Sequence, residues 1–245
     1  MLVGLEATTL RFSIKDIEAH WDHTAHDDYD GINSKTNSYM RRFEDGYNLL
    51  GIEDGAYVLD AGCGTGNGII FFSQRKKISG IGVDVSQAML DLAQNKIARL
   101  ALPFKIFNQD VEEMTGMDST FDAALSFEVL EHTPTPRTYL AQVYRMLKPG
   151  GKAVFTTPNT SWAAIHWFVG VTGIHHSEGP HYFIPRMELV ELLTGVGFKI
   201  LREKTSVMIP VGPEFLLKWG RRCEEKLGEK WMSKVGLRRI FVVQK

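Results

Sequence analysis

Nine residues, Asp60-Ala61-Gly62-Cys63-Gly64-Thr65-Gly66-Asn67-Gly68, restrict the fold of this chain more than any other stretch. The apolar run Ala56-Tyr57-Val58-Leu59 precedes them and Ile69-Ile70-Phe71-Phe72 follows, the layout of a buried strand, a glycine-rich turn and a helix. Glycines at 62, 64, 66 and 68 let the backbone turn sharply and come close to a ligand, because no Cβ stands in the way. The turn opens onto a helix N-terminus, where free backbone N–H groups point at whatever is bound. A plain tight turn between strand and helix rarely needs four alternating glycines.

Spacing narrows the ligand. A dinucleotide fingerprint wants G-x-G-x-x-G. Its third glycine would fall on Asn67, Ile69 or Phe71, counted from Gly62, Gly64 or Gly66, so the pattern fails in every register. A P-loop fails as well, since no Gly-Lys-Ser/Thr occurs at the right offset. Lys plus Arg number 28 against 29 acidic residues, a balance that disfavours nucleic-acid binding, which needs a basic face. Cys63 and Cys223 are the only cysteines and form neither a disulfide framework nor a zinc spacing, so a reducing, cytoplasmic setting is expected. Neither a secretory signal nor an apolar run of membrane-spanning length is read from the sequence.

From Tyr57 onward strands alternate with helices, the mark of a helix-covered parallel sheet. The strands are expected at Tyr57–Ala61, Ile78–Val83, Phe104–Asn108, Asp122–Phe127, Lys152–Thr157, Phe198–Lys204 and Arg238–Gln244. Helices are expected at Gly66–Arg75, Ser86–Leu100, Thr135–Leu147 and Pro185–Thr194, and in front of the sheet over residues 14–30 and 36–50, joined by a polar turn at 30–34. Lys148-Pro149-Gly150-Gly151 reads as a helix-to-strand break. Before the last strand, Trp219, Cys223, Leu227 and Trp231 recur every four residues, and this stripe is expected to pack on the sheet.

The stretch Val58-Leu59-Asp60-Ala61-Gly62-Cys63-Gly64-Thr65-Gly66 resembles the first motif of class I S-adenosylmethionine-dependent methyltransferases. The resemblance runs from about residue 55 to 160. It implies an α/β, Rossmann-like doubly wound sheet of seven strands, the last antiparallel, with helices on both faces. It also implies that the turn (Gly62, Cys63, Gly64, Gly66) cradles the amino-acid end of S-adenosyl-L-methionine. That ligand carries an ammonium and a sulfonium, for which a carboxylate at the strand end, Asp60, is a suitable neighbour. In the family an acid ending the second strand holds both ribose hydroxyls; Asp84, with Val85 beside it, lies 24 residues after Asp60 in the matching place. Asn108-Gln109-Asp110-Val111 matches the adenine segment, with Asp110 accepting from the amino group and the Val111 amide donating to the ring. Met89 covers the adenine face by the same likeness, or simply packs in its helix.

Ser126-Phe127-Glu128-Val129-Leu130-Glu131-His132 is similar to the family's phenylalanine-glutamate-valine-leucine-glutamate-histidine segment and brings Phe127 beside the cofactor. No Asn/Asp-Pro-Pro-aromatic segment stands there, which argues against nucleobase methylation. Within the family the branch of ubiquinone-biosynthesis O-methyltransferases is the nearest in flavour, through Pro158-Asn159 and His181-Tyr182-Phe183-Ile184-Pro185. A small, apolar or aromatic acceptor methylated at oxygen is therefore expected, with nitrogen and carbon acceptors or a catalytically silent cofactor-binding scaffold as alternatives. A nicotinamide oxidoreductase is disfavoured by the missing glycine.

His132 is the candidate general base, since imidazole titrates near working pH; a structural histidine under the cofactor loop is the other open reading. Glu128 is a second, weaker candidate that otherwise shapes the pocket. His20, His23 and Asp27 share one helix face, which is read as a polar face and not as a metal site. By family analogy the N-terminal helices close over the cofactor, with Trp21 and Tyr29 lining the lid and Arg41 or Arg42 reaching the cofactor carboxylate. The aromatic segment 161–174 either walls a greasy pocket, rests on a lipid surface, or packs on its own domain, and His175, His176 and His181 offer further bases. Residues 1–245 are expected to form a single domain: an N-terminal lid (1–50), a cofactor core (55–160), a substrate-side insert (158–184) and a C-terminal part (185–245).

Overall fold

A computed structural model describes residues 12–26, 29–34, 36–163 and 179–245. Helices α1 (Ile14–Ala25), α2 (Tyr29–Ser34) and α3 (Asn37–Leu50) come first. Strand and helix then alternate through β1 (Tyr57–Ala61), α4 (Asn67–Ser73), β2 (Ser79–Asp84), α5 (Gln87–Arg99), β3 (Phe104–Asn108), β4 (Phe121–Phe127), α6 (Pro136–Met146) and β5 (Leu147–Pro158). The described chain closes with α7 (Arg186–Gly195), β6 (Lys199–Ser206), α8 (Glu214–Val235) and β7 (Arg238–Gln244).

The seven strands form one sheet in the order β3-β2-β1-β4-β5-β7-β6. β7 runs antiparallel to both β5 and β6, and the other pairings are parallel, as expected. The chain steps outward from β1 to β3, then returns to lay β4 on the other side of β1. Ligands of open α/β sheets bind at such a reversal, beyond the carboxyl ends of the strands. Alternation along β1 explains why the sheet is covered twice: Leu59 and Ala61 pack with Leu140, Val143 and Leu189 on one face. Val58 packs with Phe43, Ile69, Phe72 and Leu90 on the other.

Several boundaries differ from expectation, most by one or two residues and a few by more. The helix expected over 14–30 ends at Ala25, and α2 occupies the stretch read as a turn. Asp30 is tied by three side chains of the glycine turn and α5, so tertiary hydrogen bonds rather than local pattern set this boundary. α4 starts at Asn67, one residue late, because Gly66 stands in the left-handed region with φ 78°. At 147–151 the chain is already extended: Leu147 pairs with Phe121 before the register shifts, and Gly150 makes the bend with φ 79°.

The stripe on α8 is the largest departure. Trp219 and Trp231 are more than half exposed, and only Gly220 and Met232 of the 22-residue helix are buried. A spacing of four advances about 400° around a helix, so each step drifts about 40° and the stripe spirals off one face. A break at Gly228 (φ 67°, ψ 163°) shifts the phase again. Glutamates face the protein instead: Glu224 accepts from Arg41 at 2.9 Å and from the Met208 amide at 2.9 Å.

Candidate active site

The glycine turn is drawn over the end of β2 by its own backbone. The amides of Gly62 and Cys63 both donate to the Val83 carbonyl, at 2.8 and 2.9 Å. Gly62 has φ 75°, and a Cβ there would lie 2.5 Å from the Val129 side chain, so no other residue fits. The Gly64 amide donates to Asp84 Oδ2 at 2.8 Å, and the Ser86 amide donates to Oδ1 at 3.0 Å. Each Asp84 oxygen keeps a further lone pair for a ligand. Ser86 also caps α5, accepting from the Met89 amide at 3.2 Å.

These residues open on a cavity of about 920 Å³. Asp60, Gly62, Cys63 and Gly64 line it from β1 and the turn, and Asp84, Val85 and Met89 from β2 and α5. Asp110 and Val111 line it beyond β3, Phe127, Glu128 and His132 beyond β4, and Tyr29 from α2. Gly66 is not among its lining residues: a Cβ there would sit 3.2 Å from that of Ala93, so this glycine serves packing between α4 and α5. Arg42 lines the cavity and Arg41 does not; Arg41 faces Glu224 and Asp45 between α3 and α8.

Charge is concentrated at the turn. Burial, then the neighbouring Asp84, raises the Asp60 carboxyl to about 7, against a weaker pull from Arg42. Burial also raises Asp84 and Asp110. Asp60 Oδ1 and Arg42 Nε are buried without a hydrogen-bond partner among the described residues. The Arg42 guanidinium lies 4.0 Å above the Tyr39 ring; burial opposes its charge, but Tyr39, Tyr29 and Glu128 outweigh that and raise its pKa. Two neighbouring carboxylates, one buried and one half-buried, with unmet bonding capacity suit a cationic ligand, and the nearby guanidinium suits an anionic group on the same molecule.

The N-terminal helices close one side of the cavity. Ser13 starts α1 with a reciprocal cap to Asp16. Asp22 of α1 accepts from Ser86 Oγ at 2.6 Å and from the Ala88 amide at 3.1 Å, at the N-terminus of α5. Asp30 of α2 accepts from Thr65 Oγ1, Asn67 Nδ2 and Lys96 Nζ at 2.7–2.8 Å. A run of edge-to-face rings then follows the wall: His132 with Trp21 at 5.3 Å, Trp21 with Tyr29 at 6.0 Å, Tyr29 with Tyr39 at 6.1 Å.

His132 Nδ1 lies 2.8 Å from the Pro180 carbonyl, which only accepts. The neutral imidazole therefore carries its proton on Nδ1 and its lone pair on Nε2. Glu128, in the left-handed region at φ 58°, is gripped by Arg238 at 2.9 and 3.4 Å. Burial opposes its charge, but Arg238 and Arg42 outweigh it and hold the carboxyl below its ordinary range. His181, Phe183, Trp162 and Ala163 line the cavity as well, whereas residues 164–178, with His175 and His176, lie outside the described residues. Asp27 lies outside them too; among the described residues no group of three or more His, Cys, Asp or Glu is placed to hold a metal ion.

A family model described as a methyltransferase domain matches residues 36–203, more than half of the chain. The chain belongs to this methyltransferase family. A ubiquinone biosynthesis O-methyltransferase of Coxiella burnetii is 32% identical over 155 residues, 60% of this chain. The chain spans 65% of that relative's length, just under two thirds. The O-methyltransferase resE of Aspergillus sclerotiorum is 28% identical over 191 residues, 73% of this chain and 69% of that protein. A solved structure of a Burkholderia thailandensis 1,6-didemethyltoxoflavin-N1-methyltransferase, with bound 1,6-didemethyltoxoflavin and S-adenosylhomocysteine, shares the fold. Its TM-score is 0.63 at 19% identity, covering 94% of this chain and 88% of that one.

The methyltransferase family match begins after α2 and ends inside β6. Asp22, Asp30 and Arg238 therefore lie outside it; sequence reasoning assigned roles to Trp21 and Tyr29 but not to the acids that follow them, and missed Arg238 altogether. Asp22 and Asp30 carried a faint signal, as acids just beside the aromatic residues assigned to the lid. Arg238 carried none, because its partner Glu128 is 110 residues away.

The pH response of this methyltransferase-family site follows from Asp60. With the cofactor's ammonium at Asp60, as proposed below, affinity for S-adenosylmethionine should rise as pH climbs toward about 7. Asp60→Asn should give weaker binding with no such slope, measured by calorimetry in buffers of different ionisation enthalpy. Stability carries the opposite sign. The folded-state pKa lies above the unfolded one, so stability held at low pH is lost as pH rises through about 7. The ligand-free Asp60→Asn variant should melt higher than wild type at pH 8, by about 2–4 °C for each kcal/mol relieved.

Proposed function

We propose that this chain transfers the methyl group of S-adenosylmethionine to oxygen on a small, apolar or aromatic acceptor. The observation that carries the reading is the pair of carboxylates, buried Asp60 and half-buried Asp84, on either side of a glycine turn at the sheet's reversal point. In this reading Asp60 faces the ammonium and Arg42 the carboxylate of the cofactor, Asp84 takes both ribose hydroxyls, and Asp110, Val111 and Met89 hold the adenine. When bound, the cofactor supplies an electrophilic methyl group. The chain's own contribution is positioning, exclusion of water and removal of one proton.

His132 Nε2 is the acceptor for that proton, with Nδ1 anchored on Pro180. Glu128, held as a carboxylate by Arg238, shapes the wall and is not the base. Trp21, Tyr29, Phe183 and Trp162 give the remaining wall an aromatic lining that suits a planar or greasy acceptor. Both O-methyltransferase relatives agree with an oxygen acceptor. The test is transfer of labelled methyl from S-adenosylmethionine into phenolic, sugar and lipid extracts. Label recovered in an alkali-stable methyl ether of an apolar fraction is expected. Label on nitrogen or carbon would overturn the oxygen assignment, and no transfer by protein that binds the cofactor would overturn the enzyme reading.

A further inference from the structure

α8 is fastened to the sheet with little apolar surface. Gly220 lets it approach Ile209, where a Cβ would lie 3.2 Å from that side chain. Glu224 holds Arg41 and the Met208 amide, and Glu229 accepts from the Thr205 amide at 3.2 Å. Two of the helix's acids are thus spent on the protein. The outward side shows the reverse: Phe215 is 69% exposed, Trp219 55% and Trp231 58%. Arg222, Lys226 and Lys230 are exposed there and form no ion pair among the described residues, and Lys234 lies 5.3 Å from the Trp231 ring centre. The patch reaches the cavity, because Val211 both lines it and is 56% exposed, and Leu216 reaches back to within 3.8 Å of a Cβ built at Gly212.

We propose that α8 and the 210–212 turn dock on the surface of an anionic lipid bilayer. Exposed tryptophan and phenylalanine interleaved with unpaired lysine and arginine is the composition of a helix lying in the membrane interface. Protein partners fit it less well, since the centres of protein interfaces are depleted in lysine. A second copy docked on the same patch would bring like cations together about a two-fold axis. No helix among the described residues is long and apolar enough to cross a membrane, so the attachment is peripheral. Docking in this pose turns the Pro210–Val211 side of the cavity toward the lipid. Taken with the apolar acceptor proposed above, on which this last step rests, it gives the acceptor a route that avoids water.

The test is co-sedimentation of the full chain with phosphatidylglycerol–phosphatidylcholine vesicles and with pure phosphatidylcholine vesicles. Partition to the anionic vesicles is expected, falling as salt is raised. Phe215→Ser with Trp219→Ser should lower it at least about tenfold. Each cation near such a surface contributes about fivefold, so Lys226→Glu with Lys230→Glu should lower partition by about 25-fold or more. Both double variants should keep wild-type affinity for S-adenosylhomocysteine, which reports their folding. Absence of vesicle binding, equal binding by wild type and variants, or a salt-resistant dimer that the aromatic variant dissolves would each overturn the proposal. Vesicle binding by protein that fails to take up S-adenosylhomocysteine would sink the cofactor reading and leave the docking intact.

Discussion

Asp84→Ala is expected to weaken S-adenosylmethionine and S-adenosylhomocysteine binding at least about 100-fold, with the sheet still folded. Hydrogen bonds to a charged group contribute about 1.5–3 kcal/mol each, and in the proposed pose two ribose hydroxyls are at stake. Asp84 also fastens the turn, accepting from Gly64 and Ser86, so part of the loss will come from a loosened loop. Asp84→Asn separates the two contributions: it preserves one acceptor oxygen and should fall between wild type and alanine. Calorimetry with S-adenosylhomocysteine, alongside thermal unfolding, reads both. A second signature follows from the charge pair. Asp84 is one of the causes that raise Asp60, so removing it should move the midpoint of the pH response below 7. Undiminished affinity in Asp84→Ala would remove this carboxylate from the cofactor site.

His132→Ala is expected to lower kcat by about 100-fold or more while S-adenosylhomocysteine affinity stays near wild type, the range in which a positioned base acts. The imidazole is held from two sides, by the Pro180 carbonyl on Nδ1 and by the Trp21 ring edge-to-face at 5.3 Å. The Pro180 contact sets the tautomer and puts the lone pair on Nε2, something a freely rotating histidine does not offer. His132→Gln restores a hydrogen-bonding side chain without the basicity, so it should recover stability but not turnover. Equal loss of cofactor affinity and rate would instead mark His132 as a structural prop of the loop. His181, 6.2 Å away, is the control; its alanine variant should retain most of the rate if His132 alone takes the proton.

Much of the cofactor end was legible along the chain. Asp60, Asp84 and Asp110 stand at or just beyond strand ends that apolar runs and glycines announce, and the structure brings all three to one cavity. Such positions depend on spacing over five to ten residues, a distance at which steric preference and side-chain alternation already act. Arg41 and Arg42 show where that reach stops. Neighbours on a helix point about 100° apart, and only the placement of α3 decides that Arg42 enters the cavity while Arg41 pairs with Glu224. The same limit applies to α8. A four-residue recurrence of tryptophan and leucine states that the segment is helical and two-sided, but not which side finds the sheet; the small Gly220 and the ion pair of Glu224 decided that.

By itself the sequence determined the strand–turn–helix unit, the parallel sheet it starts and the acids that crown it. The backbone needs of glycine and the two-residue period of a strand are local properties, independent of the rest of the chain. Tertiary structure alone decided that Asp22 and Asp30 draw the N-terminal helices over the cavity, that Glu128 is neutralised by Arg238, and that the tryptophans of α8 face outward. Each of these depends on charges or surfaces that lie far apart in the chain and meet only when the sheet closes around its core. No local pattern records that meeting.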